Sequence, residues 1–260
     1  MNIHIGEQLG RHYDRLRHIP RYAKFVVLND VRYKNWKQCS EICNDPDMYH
    51  VDGFIPKPGE VIYDVGSQYG DWAILWAKKY HAFVYAFEPL ELNLEITNIN
   101  VYRNGMEDRV KVFDSLVGDG HYMTFEVRGN MLASYPYYNF LGIKHLSDRK
   151  VVSRESERLD DIFNQGWLSR NPDILKIDVE GFEHDVLLGA KLLIMRFHPR
   201  IIIETHSSFL REQCTEMLQN LGYTFQDVHH QYQQKQLHLS VYHPALPSQA
   251  KRRSAFLHHN

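Results

Sequence analysis

The chain has 260 residues, 30 basic and 32 acidic side chains, and a formal net charge of −2. That length fits one α/β domain with additions, and the balanced charge excludes the global basic field of a nucleic-acid binder. Three cysteines (Cys39, Cys43, Cys214) are too few for a disulfide framework, and no run approaches the ~18 apolar residues of a membrane span, so a soluble cytoplasmic protein is expected, with neither nucleic acid nor membrane as partner.

Residues 1–57 precede the core and read as an N-terminal extension packed on it. Arg11 to Arg21 is basic and polar, Tyr22 to Asn29 apolar, and Asn35 to Cys43 helical in pattern. Arg11, Arg15, Arg17 and Arg21 fit a solvated helix face or a contact for an acidic partner. Cys39 and Cys43 share a helix face, but no second ligand pair follows and the 16 histidines are scattered, so no metal site is expected. Pro56 and Pro58 interrupt regular structure just ahead of the first core strand.

The stretch EVIYDVGSQYGDWAILWAKKYHAFVYAFEP, Glu60 to Pro89, reads as strand, glycine turn, helix and strand, closing on an acid. The first strand ends in Asp64, Gly66 and Gly70 bound the turn, and a helix opens at Asp71. Glu88 lies about twenty residues beyond the glycines, where a carboxylate can accept the hydroxyls of a ribose. A pyrophosphate would call for G-x-G-x-x-G and a helix N-terminus free of acids. Here the glycines are four apart and Asp71 would repel a phosphate, while Asp64 suits an ammonium group. A ligand with a ribose, a positive amine and no phosphate fits, and S-adenosyl-L-methionine is such a ligand. An ordinary βαβ turn with a capping acid is the bland alternative.

Leu92 to Arg103 follows as a helix and Arg109 to Asp114 as a third strand, whose tip places Asp114 or Ser115 near an adenine amino group. Residues 118–157 break the rhythm: Tyr122 to Arg128 alternates as a strand, GNMLASYPYYNFLG is dense in aromatics, and Lys150 to Ser153 returns. The insert offers an acceptor pocket through Tyr135, Tyr137, Tyr138 and Phe140, or these are local core under a long loop. Arg158 to Gln165 is a short helix.

DILKIDVEGFE, Asp173 to Glu183, is the second informative stretch. A central parallel strand is normally apolar on both faces, so Lys176 and Asp178 are anomalous and need partners. Val186 to Ile194 reads as one helix and PRIIIETH, Pro199 to His206, as the next strand. If the two strands are neighbours, Lys176, Asp178, Glu204 and His206 converge near one sheet edge, either as acid–base machinery or as a self-neutralised ion-pair network. Phe209 to Leu221 is an amphipathic helix, Tyr223–Val228 and Leu237–Tyr242 form an antiparallel pair, and residues 245–260 read as a tail.

Taken together, VIYDVGSQYG, VYAFEP, RLDDIF, DILKIDVEGFEHDVLLGA and PRIIIETH resemble the FkbM family of methyltransferases over about Pro58 to Pro244, most specifically in KIDVEGFE followed by VLLGA. The resemblance implies a three-layer, Rossmann-like class I methyltransferase with a seven-stranded, mostly parallel sheet ending in an antiparallel hairpin. It implies S-adenosyl-L-methionine as cofactor, contacts at Asp64, Gly66, Gly70 and Glu88, and O-methylation of a hydroxyl on a sugar, glycan or small secondary metabolite. Family members usually carry Ala-Asn inside the glycine turn where this chain has Ser67-Gln68.

The candidate cofactor contacts are therefore Asp64, Gly66, Ser67, Gln68, Gly70, Glu88, Asp114, Ser115 and Asp178. An alcohol attacks a sulfonium methyl more readily when a base takes its proton; His206 is the first candidate and Asp178 the second, with Lys176 and Glu204 tuning them. A divalent cation on Asp178, Glu180 and Glu204 is the weaker alternative to simple ion pairing. Other functional classes are a cofactor-binding protein without catalysis and a nicotinamide-dependent oxidoreductase, the latter disfavoured by the missing G-x-G.

Overall fold

Short apolar runs alternating with helical patterns resolve into strands and crossover helices, because parallel neighbours can be joined only through a long return. The computed structural model of the chain describes residues 26–28, 31–33, 49, 51–128, 131–134, 150–228 and 238–245. The helical pattern at Asn35–Cys43, the arginines of the first segment, the aromatic residues 135–140 and the tail beyond residue 245 lie outside them. Two three-residue strands, β1 (Val26–Leu28) and β2 (Val31–Tyr33), pair antiparallel ahead of the core.

The main sheet comprises β3 (Val61–Val65), β4 (Phe83–Phe87), β5 (Val110–Phe113), β9 (Ile174–Ile177), β10 (Arg200–Thr205), β11 (Tyr223–Val228) and β12 (His238–Pro244). Its order is β11-β12-β10-β9-β3-β4-β5. The strands from β10 to β5 run parallel, and β12 lies antiparallel between β10 and β11. This is the seven-stranded, mostly parallel sheet expected from the sequence. Chain order reverses at β3, which has β4 on one side and β9 on the other. Such a reversal opens a crevice beyond the carboxyl ends of the strands.

Helices cover both faces. On one face, α1 (Asp71–Tyr80) and α2 (Glu91–Asn104) pack Trp72, Ile74, Leu75 and Val101 against Ile62, Val84, Val112, Ile174 and Ile202. On the other, α3 (Leu159–Asn164), α4 (Glu183–Gly189), α5 (Lys191–Phe197) and α6 (Ser208–Asn220) bury Leu159, Val186, Ile194 and Leu218 against Tyr63, Leu175, Ile177 and Ile203. The alternation along each strand thus feeds two apolar layers, giving the three-layer architecture.

The insert between β5 and β9 forms a second sheet, β7-β6-β8, from β6 (Tyr122–Arg128), β7 (Met131–Ser134) and β8 (Lys150–Glu155), all antiparallel. Met123 and Phe125 turn inward onto Leu116 and Phe182 while Tyr122 faces solvent. One helix boundary differs from the sequence pattern: Val186 to Ile194 is two helices, with the break at Ala190. The carboxylate of Asp160 accepts from Leu192 and Leu193 N–H at 3.1 and 2.8 Å, capping α5 from a distant part of the chain.

Candidate active site

The turn after β3 is held by contacts that leave no room for side chains. A Cβ on Gly66 would stand 1.8 Å from the Asp178 carbonyl oxygen, and one on Gly70 would stand 2.5 Å from Thr97 Cγ2. Both glycines have left-handed backbone, φ 81° and 71°, and so does Gln68, φ 48°. Asparagine enters that region more readily than glutamine, so Ser67-Gln68 is a slightly costlier way to build the turn. Gln68 acts here through its backbone: its N–H donates to Glu88 Oε2 at 3.0 Å and its carbonyl accepts from Thr97 Oγ1 at 2.8 Å.

A cavity open to solvent lies beyond the strand ends at the reversal point. Gly66, Ser67, Gln68, Asp71, Glu88, Asn93, Ser115, Lys176, Asp178 and Glu180 line it, with Trp72, Leu116 and Phe182 as apolar walls. Four carboxylates therefore face it with one ammonium, a poor environment for a phosphate. The buried hydroxyls of Ser67 and Ser115 have no hydrogen-bond partner among the described residues, so both remain available to a polar ligand.

Glu88 points inward. Its Oε1 accepts from Leu90 N–H (2.9 Å) and Asn93 Nδ2 (3.2 Å), and burial pushes the carboxyl up to about 7. Asp71, at the first position of α1, is 3% exposed and is likewise pushed by burial to about 7. Asp64 does not line the cavity. Lys176 Nζ sits 3.1 Å from its Oδ1, 3.8 Å from Asp178 Oδ2, and donates to the Gly66 carbonyl at 3.0 Å. The carboxyl expected to meet a ligand's amine thus pairs with Lys176 inside the protein, and burial still holds its pKa above the ordinary value.

Beside the cavity, the register Ile202↔Lys176 between β10 and β9 brings the second cluster together. His206 Nδ1 is 2.7 Å from Glu183 Oε1, and Nε2 is 3.3 Å from Glu180 Oε2 and 3.8 Å from Asp178 Oδ1. Burial pulls the imidazole pKa down, but Glu183, Glu180 and Asp178 outweigh it and hold it well above the ordinary value. An imidazolium with a carboxylate at each nitrogen is a poor proton acceptor. Glu204 is pushed to about 8 by burial, with Asp178 adding. The Tyr49 hydroxyl lies 3.1 Å from Glu204 Oε2 and 3.3 Å from Asp178 Oδ2. The Tyr49 hydroxyl is the donor in both contacts, so its single proton is shared between Glu204 and Asp178.

Asp178, Glu204 and His206 offer ligand atoms within 4.8 Å of one another, a spacing a divalent cation could use. Lys176, the Tyr49 hydroxyl and the imidazolium itself already answer those carboxylates, so the trio reads as an internal ion-pair network.

Of the sequence candidates, Gly66, Ser67, Gln68, Glu88, Ser115, Lys176 and Asp178 meet at the cavity. Gly70 shapes the turn from behind, and Asp114 instead bonds Arg154 at 3.0 Å and does not line the cavity. Glu204 and His206 stand behind Asp178 rather than in the wall. Sequence reasoning missed Tyr49 and Asn93. For Asn93 a signal existed: Asn93, Thr97 and Asn100 recur at helical spacing on α2, and they bond Glu88, the Gln68 carbonyl and the Tyr69 carbonyl (3.2, 2.8 and 3.0 Å). Tyr49 is a turn residue and carried none.

A mostly parallel sheet with its antiparallel β12 and a crevice at the β3/β9 reversal defines a Rossmann-like methyltransferase fold. Residues 64–233 match the methyltransferase FkbM domain, and the chain belongs to the FkbM methyltransferase family. Over 199 residues it is 27% identical to the AMB antimetabolite synthetase AmbE of Pseudomonas aeruginosa, a match covering 62% of this chain and 9% of AmbE. The methyltransferase FkbM from Methylobacillus flagellatus has a similar structure, with TM-score 0.51 and 20% identity, over 71% of this chain and 44% of that one. The precorrin-6y C5,15-methyltransferase from Geobacter metallireducens aligns at TM-score 0.46 and 11% identity, over 87% and 96% of the two chains. The chain thus spans only a small part of AmbE and less than half of the first structure. Among the described residues, no helix is long and apolar enough to cross a membrane.

Proposed function

We propose that the chain is an S-adenosyl-L-methionine-dependent O-methyltransferase acting on a hydroxyl of a sugar, glycan or small secondary metabolite. The observation that carries this is the inward Glu88 carboxylate in a cavity formed by the glycine turn and bounded by buried, unclaimed hydroxyls. Glu88 Oε2 takes one backbone N–H, from Gln68, and retains a lone pair for a ribose hydroxyl. Ser67 and Ser115 supply hydroxyls for other polar groups of an adenosyl ligand. The bound cofactor supplies an electrophilic methyl group on a sulfonium.

The rest is positioning and one proton. Asp178 lines the cavity and has an oxygen near Tyr49 and Lys176, which fix its orientation. It is the group placed to take the acceptor's hydroxyl proton as the oxygen attacks, a role that His206, held as a cation, leaves to it. His206 in turn anchors Glu180 and Glu183 around the same wall. The in-line approach is set by the walls rather than by chemistry of the protein.

Incubation with methyl-tritiated cofactor and an extract of the cells that make the protein tests this. Label should move to a hydroxyl-bearing compound, and Asp178→Asn should lower turnover roughly 100-fold or more while S-adenosylhomocysteine still binds. Transfer to nitrogen or carbon, or undiminished turnover by Asp178→Asn, would contradict the assignment.

A further inference from the structure

A cofactor with an amino-acid end brings an α-ammonium that must be desolvated inside the cavity, and an unpaired buried charge is costly. The residue expected to receive it, Asp64, is 1% exposed, pairs with Lys176 at 3.1 Å and is absent from the cavity wall. Asp71 is in that wall, one residue beyond Gly70. Its Oδ1 accepts from Trp72 N–H at 3.0 Å, which restrains the carboxylate at the start of α1. We propose that Asp71 is the specificity residue that receives the cofactor's α-ammonium, so that the acid at the head of α1 selects for the amino-acid end of the ligand. This rests on the cofactor assignment above.

The charged groups facing Asp71 agree with that role. Lys176 draws its carboxyl down and Asp64 raises it, but burial dominates. Burial thus pushes the carboxyl up to about 7. An arriving ammonium favours the ionised form, so the site should shed a proton as the ligand enters. A ligand carboxylate in the same place would do the reverse and draw a proton in.

The test compares two probes on the full chain by calorimetry: S-adenosylhomocysteine, and 5′-methylthioadenosine, which keeps the adenosine and sulfur but lacks the amino acid. Asp71→Asn should weaken S-adenosylhomocysteine at least roughly tenfold and leave methylthioadenosine unchanged, which also shows that the variant is folded. At neutral pH the wild type should release protons on binding S-adenosylhomocysteine, read from the dependence of the heat on buffer ionisation enthalpy. Equal weakening of both probes would make Asp71 a structural residue, and unchanged affinity or proton uptake would place something other than the ammonium beside it. If wild type binds neither probe, the cofactor assignment falls and this one with it. If it binds methylthioadenosine but Asp71→Asn has no selective effect, only the present inference fails.

Discussion

A buried imidazole with a carboxylate at each nitrogen is a structural cation, and removing it strands like charges. His206→Ala should therefore destabilise the fold by about 3 kcal/mol, as when one partner of a buried pair is deleted, seen as a lower urea midpoint at pH 7. If the midpoint stays put, His206 is not the hub of that network. At this scale the sequence was partly readable. Lys176, Asp178, Glu204 and His206 stood out because charges on central parallel strands are anomalous, and the strands do bring them together. Which of them faces the cavity was not readable, because it depends on pairings across the fold: Lys176 with Asp64, and His206 with Glu183, 23 residues away. The same holds for Asp114, whose partner Arg154 lies in the inserted sheet 40 residues on.

The glycine turn is the element on which the site is built. Gly66→Ala would force a Cβ into the Asp178 carbonyl, 1.8 Å away. It would also demand left-handed backbone of alanine, a cost of about 1–2 kcal/mol before the clash is counted. We expect that variant to lose S-adenosylhomocysteine affinity and thermal stability together. Wild-type behaviour in both would mean that the turn tolerates displacement and does not set the cavity shape. Turns, strands and crossover helices of this kind follow from local patterns, which is why β3, α1 and β4 match the sequence expectation closely. The break at Ala190 does not, because its cause is a cap delivered from Asp160 in α3. That same contact gives the RLDDIF motif a structural role: Asp160 holds the start of α5 and lies outside the cavity.

Over the whole molecule, several buried acids titrate far above their ordinary values. Asp71 and Glu88 sit at about 7 and Glu204 at about 8. Between the ordinary value and the raised one, the folded chain holds a proton that the unfolded chain has released, so stability falls as pH rises. His206 acts in the same direction: its contribution is full below 6.5 and is lost as pH rises through its raised value. The melting temperature should accordingly be lower at pH 8.5 than at pH 5.5, by about 5 °C; a flat or rising profile would show that these groups are ionised without penalty. The seven-stranded, mostly parallel sheet ending in an antiparallel pair was expected from the family resemblance, whereas its strand order with the reversal at β3 is a finding of the structure. The pairing of β1 with β2, and Tyr49 reaching Glu204 across 155 residues, were not expected, because nothing local encodes them.

We propose that the inward carboxylate after β4 seats the ribose of an adenosyl ligand. Titration calorimetry with S-adenosylhomocysteine and NADH measures it directly. We predict micromolar or tighter binding of S-adenosylhomocysteine, at least roughly tenfold weaker in Glu88→Ala, and no binding of NADH. Equal binding of NADH, or S-adenosylhomocysteine affinity indifferent to Glu88, would contradict it.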